Sequence, residues 1–168
     1  MDNEIMIKNK ENKEYIDTHI ANVKRAFNEY GDQLVKALNI DKKRLAAQIE
    51  VHDQSKYSKE EFEGYRKRFY PTSDEQNSID DDKFNIAWNH HVHNNAHHPE
   101  FWVCTDDEGN IVIEPMGYTY IAEMLLDWAA MGYTKGDNPY LYWQKKKYNK
   151  PLHPDTFNIV DRCVEIFK

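Results

Sequence analysis

The feature that most constrains the fold is an apolar stripe recurring every three or four residues near the start of the chain. Ile16, Ile20, Val23, Phe27, Tyr30 and Leu34 share one side of a 3.6-residue period and predict a helix over about Glu14 to Leu38. Asp41 reads as the N-cap of a second helix bearing Leu45, Ile49 and His52. Ser58 and Glu61 fit a capping box that starts a third, through Phe62, Tyr65 and Phe69. Residues 71–80 are polar and turn-rich and read as a surface loop. A fourth helix is expected from about Asp81, with Phe84, Ala87, Trp88 and His91 on one face. Two short apolar runs flank Asp106 to Asn110, which predicts a β-hairpin over residues 101–114. Tyr118 to Met131 is a strongly apolar helix with Gly132 as its stop. Two shorter helices, Pro139 to Tyr148 and Thr156 to Phe167, close the chain, the last capped by Asp155 or Thr156. The expectation is a mainly α bundle with one hairpin, a single domain over residues 1–168.

The bulk numbers narrow the partners. A formal charge of −7 repels nucleic-acid backbones, and the best basic run, Lys145 to Lys147, is short, so no polymeric nucleic acid is expected. The N-terminus is charged from Asp2 and carries no apolar leader, and no stretch approaches the roughly 20 apolar residues of a membrane span. A cytoplasmic protein without a membrane partner is expected. Cys104 and Cys163 have no paired spacing and read as buried or half-buried reduced thiols. Self-association is left open.

Chemistry enters through polar residues on apolar faces. His19 falls within the stripe of the first helix, and His52 follows Ile49 by three and Leu45 by seven. Asp127 stands among Leu125, Leu126 and Trp128, where a lone buried charge would cost several kcal/mol. Such a carboxylate needs a cation, a hydrogen-bond network or solvent. A single histidine on an apolar face is ordinarily a satisfied core residue. Three separate helices each offering an inward ligand type point instead to a shared divalent metal. His52 and Asp53 are neighbours, so both reach one ion only at a helix edge or end, and Gln54 to Ser58 reads as that end. Imidazole and carboxylate together suit Zn, Mn or Fe. In the segment from Trp88 to Glu100, His91 is the inward choice over His90, and His93 points to the far side. His97 and His98 precede Pro99, which favours extended backbone and frees both rings to aim independently. Of Glu123 and Asp127, one meets metal and the other positions a histidine or a water. Trp88, Phe101, Trp102 and Tyr118 are candidates for the wall of a base-sized pocket, with core packing the competing role.

The ordered set His19, His52-Asp53 and Asp127 resembles the H…HD…D arrangement of the HD-domain superfamily of metal-dependent phosphohydrolases. His52 to Lys56 is similar to the HDxxK motif of its HD-GYP branch, and His97 to Glu100 to the HHE segment there; the glycine-tyrosine-proline signature is missing. More narrowly, the chain resembles an uncharacterised family of short HD-like bacterial and phage proteins. The resemblance implies an HD-like helical fold and hydrolysis of a small phosphoester, with a nucleotide as the leading substrate. It implies one or two divalent ions (Fe, Mn, Zn, Co or Mg). His19, His52, Asp53 and Asp127 would hold the first, and His91 with His97 or His98 a second. Asp53 and Lys56 would be catalytic, Lys56 facing the phosphate. Two alternatives stand beside it: a mixed-valence di-iron oxygenase on the same fold, and a non-catalytic protein that sequesters a nucleotide.

Overall fold

The computed structural model describes residues 2–76 and 81–168. Its elements are α1 (Asp2–Leu38), α2 (Lys42–Glu50), α3 (Lys59–Phe69), α4 (Asp81–Asn94), β1 (Val103–Thr105), β2 (Ile111–Ile113), α5 (Tyr118–Lys135), α6 (Pro139–Lys146) and α7 (Pro154–Cys163). Short 3₁₀ turns lie at Gln54–Tyr57, Pro99–Trp102, Lys147–Asn149 and Val164–Phe167. The chain is therefore mainly α with one hairpin, as its periodicity predicts. The hairpin pairs Val103 with Ile113 and Thr105 with Ile111, antiparallel. Of the loop expected over 71–80, residues 73–76 form turns, and residues 77–80 lie outside the described residues.

Two compact units share the chain. The first comprises Met1–Ile20 and Asp53–Asn95, the second Ala21–His52 and Ala96–Lys168. In the first unit, α3 packs on α4 at a close approach. A Cβ on Gly64 would sit 2.7 Å from Ala87 Cβ and 2.8 Å from the Lys83 carbonyl oxygen, so only glycine fits there. Asn12 on α1 donates to the Phe62 carbonyl at 3.4 Å, and Tyr57 donates to Asp17 at 2.5 Å. The buried Arg66 guanidinium grips Glu75 with both nitrogens, at 2.5 and 2.8 Å. That pairing holds the Glu75 carboxyl down to about 2, helped by hydrogen bonds at Thr72. A depressed acid stabilises the fold fully above its ordinary value of 4.5, and the contribution is lost as pH falls toward 2. Arg66→Ala is accordingly expected to cost about 3 kcal/mol at neutral pH, by urea titration, and to flatten the stability–pH curve between those limits.

The second unit holds the larger apolar core. The central helix α5 buries Ile121, Met124, Leu125 and Leu126 against Val23, Leu34, Leu45, Ile49, Trp143 and Val160. Burial on nearly every side explains why its sequence reads as an apolar run rather than a stripe.

Several boundaries differ from the sequence reading. α1 starts at Asp2 rather than Glu14, because residues 2–13 contain neither glycine nor proline and are braced by Lys8–Glu11, Lys10–Glu14 and Lys13–Asp17 pairs. α2 ends at Glu50, so His52 lies just past the helix rather than on it. α5 runs through Gly132 and stops at Gly136, whose φ of +68° forms the left-handed cap. Gly132 serves a different purpose: a Cβ there would meet the Asp137 carbonyl oxygen at 2.3 Å. Gly132→Ala is expected to lose about 2–3 kcal/mol in the same titration, since backbone cannot give way as a side chain does. The N-cap of α7 is His153, whose Nδ1 accepts from Asp155 N at 3.2 Å. Thr156 is instead buried, its Oγ1 accepting from the Met116 amide at 2.9 Å. Cys163 is buried, but Cys104 is exposed on β1. No helix among the described residues is long and apolar enough to cross a membrane.

Candidate metal centre

The turn after α2 carries the first pair of candidate ligands. Asp53 adopts a left-handed conformation, φ +57°, which its short polar side chain tolerates better than most. Both His52 and Asp53 are 1% exposed, so two strongly polar side chains are buried at the head of the 3₁₀ turn Gln54–Tyr57. Neither could stay there without partners.

In the first unit, Asp53 faces two imidazoles, one with each oxygen. Its Oδ2 lies 3.3 Å from His19 Nε2, and its Oδ1 lies 3.5 Å from His91 Nε2. Lys56 Nζ donates to Oδ2 at 2.6 Å and stands over the Tyr65 ring at 5.8 Å. On its other side, His91 Nδ1 sits 2.9 Å from Glu61 Oε2, while His90 Nδ1 sits 2.7 Å from Glu61 Oε1. An ionised carboxylate only accepts, so the Glu61 contacts call for a proton on the Nδ1 side of both rings and leave His91 Nε2 on the side of Asp53. Burial would raise the Glu61 carboxyl. Hydrogen bonds from His91, His90 and Ser55 outweigh it and hold the group below the ordinary range.

The second unit repeats the pattern. His52 Nδ1 lies 2.9 Å from Glu123 Oε1, and His97 Nδ1 lies 3.4 Å from the same oxygen. Gln48 Nε2 donates to Glu123 Oε2 at 3.1 Å. Here too burial acts upward on the acid, and the two imidazoles overcome it, holding Glu123 down to about 2. The far nitrogen of His52, Nε2, lies 3.8 Å from Asp127 Oδ1. His52, His97 and Glu123 each offer one ligand atom within 4.8 Å of the others, all three buried. Glu123 is better read as the orienting carboxylate than as a ligand, because its short contact is with the protonated Nδ1 side of His52.

The Nε2–carboxylate distances of 3.3, 3.5 and 3.8 Å matter most. They exceed the usual 2.7–3.2 Å of a hydrogen bond of this type. Two ligands each about 2.0–2.2 Å from one ion lie roughly 3–4 Å apart, so the same spacings suit donors that share a cation. The donor set is imidazole nitrogen and carboxylate oxygen, matched to a borderline or hard divalent ion. These buried groups could therefore hold metal.

The expected residues fall as follows. His19, Asp53, His91 and Lys56 come together in the first unit; His52, His97 and Asp127 gather in the second, with the His98 ring 4.3 Å from that of His97. Asp127 and His98 are only partly buried. His93 is exposed and bound to the Asn89 carbonyl, outside either group. Among the aromatics, Trp102 is absorbed in packing: it donates to the Ala96 carbonyl at 2.8 Å and packs on Tyr120. Trp88, Phe101 and Tyr118 are exposed. Glu61 is the residue that sequence reasoning missed. Its capping-box spacing from Ser58 misled, since Ser58 makes no side-chain cap and Glu61 turns to the histidines instead. The signal that could have found it is Gly64, three residues on, which marks the face of α3 pressed on α4.

A family model described as a family of unknown function, DUF5662, matches residues 8–166, and the chain belongs to that family. No curated protein and no solved structure matches it.

Proposed function

We propose that the chain is a metal-dependent phosphohydrolase acting on a small phosphoester, with a nucleotide as the leading class of substrate. The observation that carries the reading is the orientation of the histidines. Buried carboxylates, Glu61 and Glu123, fix the Nδ1 side of His91 and His52, so each Nε2 faces an aspartate at a spacing suited to a shared cation. Following the HD order of the sequence, His19, His52, Asp53 and Asp127 are assigned to a first ion, and His91 with His97 or His98 to a second. Bound metal would supply an activated water near neutral pH and a clamp on phosphoryl oxygens.

The chain's own residues do the rest. Asp53 presents its two oxygens to different imidazoles, a disposition that positions it for more than one cation. Lys56 holds a positive charge beside Asp53, mostly buried, where it would offset charge developing on a phosphoryl group. The Tyr65 phenol is pushed up by burial and by the nearby Glu61 and Asp53 charges, so it keeps its proton at any working pH.

The test is elemental analysis of the purified protein and of the His52→Ala/Asp53→Ala double variant, with phosphate release measured on a nucleotide panel supplied with Mn²⁺, Fe²⁺ or Co²⁺. The expected result is a stoichiometric divalent metal, lost in the variant together with hydrolysis. Hydrolysis that survives removal of the metal would sink the proposal. So would an iron-based EPR signal that responds to substrate under air without phosphate release, which would favour oxygen chemistry.

A further inference from the structure

Tyr65 follows Glu61 by one helical turn on α3, so the two side chains share the face that packs on α4. Phe84 meets the Tyr65 ring edge-on at 5.5 Å and Phe69 lies 6.2 Å away, which gives the phenol an apolar side. Its other neighbours belong to the candidate metal centre. The His91 ring stands 5.9 Å away at 74°, and Lys56 Nζ lies 5.8 Å from the ring centroid. The hydroxyl oxygen exposes less than 1 Å² to solvent, and among the described residues it has no hydrogen-bond partner. A hydroxyl withdrawn from water with nothing in its place is unfavourable. Phenylalanine would fill the same space among Phe69, Phe84 and His91 without that penalty.

The carboxylates whose charges reach the phenol are committed to other donors. Glu61 accepts from His90, His91 and Ser55, and Asp53 takes a 2.6 Å bond from Lys56. Burial, and after it the charges of Glu61 and Asp53, push the phenol up, so the hydroxyl keeps its proton and remains a donor. We propose that Tyr65 binds substrate, its hydroxyl donating to a phosphoryl oxygen of the phosphoester held at the metal centre beside Asp53 and His91. This rests on the phosphohydrolase reading and extends it by naming a residue that touches the phosphoryl group. An anionic oxygen is the acceptor that strengthens such a bond most. Depth does not set the hydroxyl apart, because Asp53 and His91 are each 1% exposed and a phosphoryl group that reaches them reaches the same level. Lys56 supplies the positive charge there, and Tyr65 a directed donor that adds none.

The test compares Tyr65→Phe with the parent, each stripped of metal by chelator and then reloaded with Mn²⁺, with inorganic phosphate as the probe. Metal-free Tyr65→Phe is expected to unfold at the same urea concentration as the parent or a higher one, because the hydroxyl makes no bond within the fold. Its Mn²⁺ content is expected to match the parent. Calorimetry on the Mn²⁺-loaded variant is expected to show phosphate bound at least about tenfold more weakly, the scale of a lost hydrogen bond to a charged acceptor. On the nucleotide panel kcat/KM is expected to fall by a similar factor or more. Equal phosphate affinity in the two proteins overturns the assignment. So does a fall in rate with phosphate affinity unchanged, which moves the hydroxyl onto the attacking water. A lower urea midpoint in the metal-free variant also overturns it, since the hydroxyl then has a partner within the protein. The parent separates this inference from the reading beneath it. A parent that takes up no Mn²⁺ or releases no phosphate removes the phosphohydrolase reading and Tyr65 with it, whereas a hydrolysing parent matched by Tyr65→Phe removes Tyr65 alone.

Discussion

On the proposed phosphohydrolase reading, Asp53→Asn is expected to leave the purified protein without divalent metal and to lower phosphoester hydrolysis at least about 10³-fold, since several kcal/mol of charge stabilisation would go with the ion. Asparagine is the informative replacement because Asp53 sits at φ +57°. Asn occupies the left-handed region nearly as readily as Asp, whereas Ala adds about 1 kcal/mol or more of backbone strain that would confuse a loss of metal with a loss of fold. The amide keeps one oxygen of the two that face His19 and His91, and removes the charge that Lys56 neutralises. The expected signature is therefore a helical, cooperatively folding protein with no stoichiometric metal by elemental analysis. Full metal content in Asp53→Asn, or hydrolysis within tenfold of the parent, would remove Asp53 from the centre and with it the HD reading.

The helical architecture was largely legible in the chain because it rests on local physics. The stripe from Ile16 to Leu34, the Asp41 cap confirmed by its bond from the Arg44 amide, and the turn at Asp106–Asn110 each read correctly. Errors came where a local signal competed with a tertiary one. Gly132 carries the same signature as a stop, yet it is required by the approach of the Asp137 backbone, which no window around it reveals. Ser58 and Glu61 have capping-box spacing, yet the box is not formed because His90 and His91, some thirty residues away, claim the carboxylate. Burial of His19 and His91 was readable from their places on apolar faces, whereas His52 is buried although it lies past the end of its helix. The orienting carboxylates were harder. Glu123 was narrowed to one of a pair with Asp127, and only its 2.9 Å contact with His52 Nδ1 distinguishes the two roles.

That distinction can be measured. Glu123→Gln is expected to weaken metal affinity about 10–100-fold while kcat at saturating metal stays near the parent value. The amide oxygen can still accept from His52 Nδ1, so ring orientation survives and only the negative charge behind the ring is lost. The new amide nitrogen meets Gln48, whose side chain can rotate by half a turn to offer its Oε1, an atom with no hydrogen-bond partner among the described residues. The substitution thus isolates basicity from geometry. Because Glu123 is held down to about 2, its charge is constant over the working range, and the loss of affinity should be uniform above about pH 4.5. Glu61→Gln tests the same logic at His91, where one carboxylate serves two imidazoles and the replacement can accept from only one of them. A fall in kcat with affinity unchanged would instead place Glu123 at the reacting atoms. Unchanged affinity and rate would leave it as a structural partner of His52.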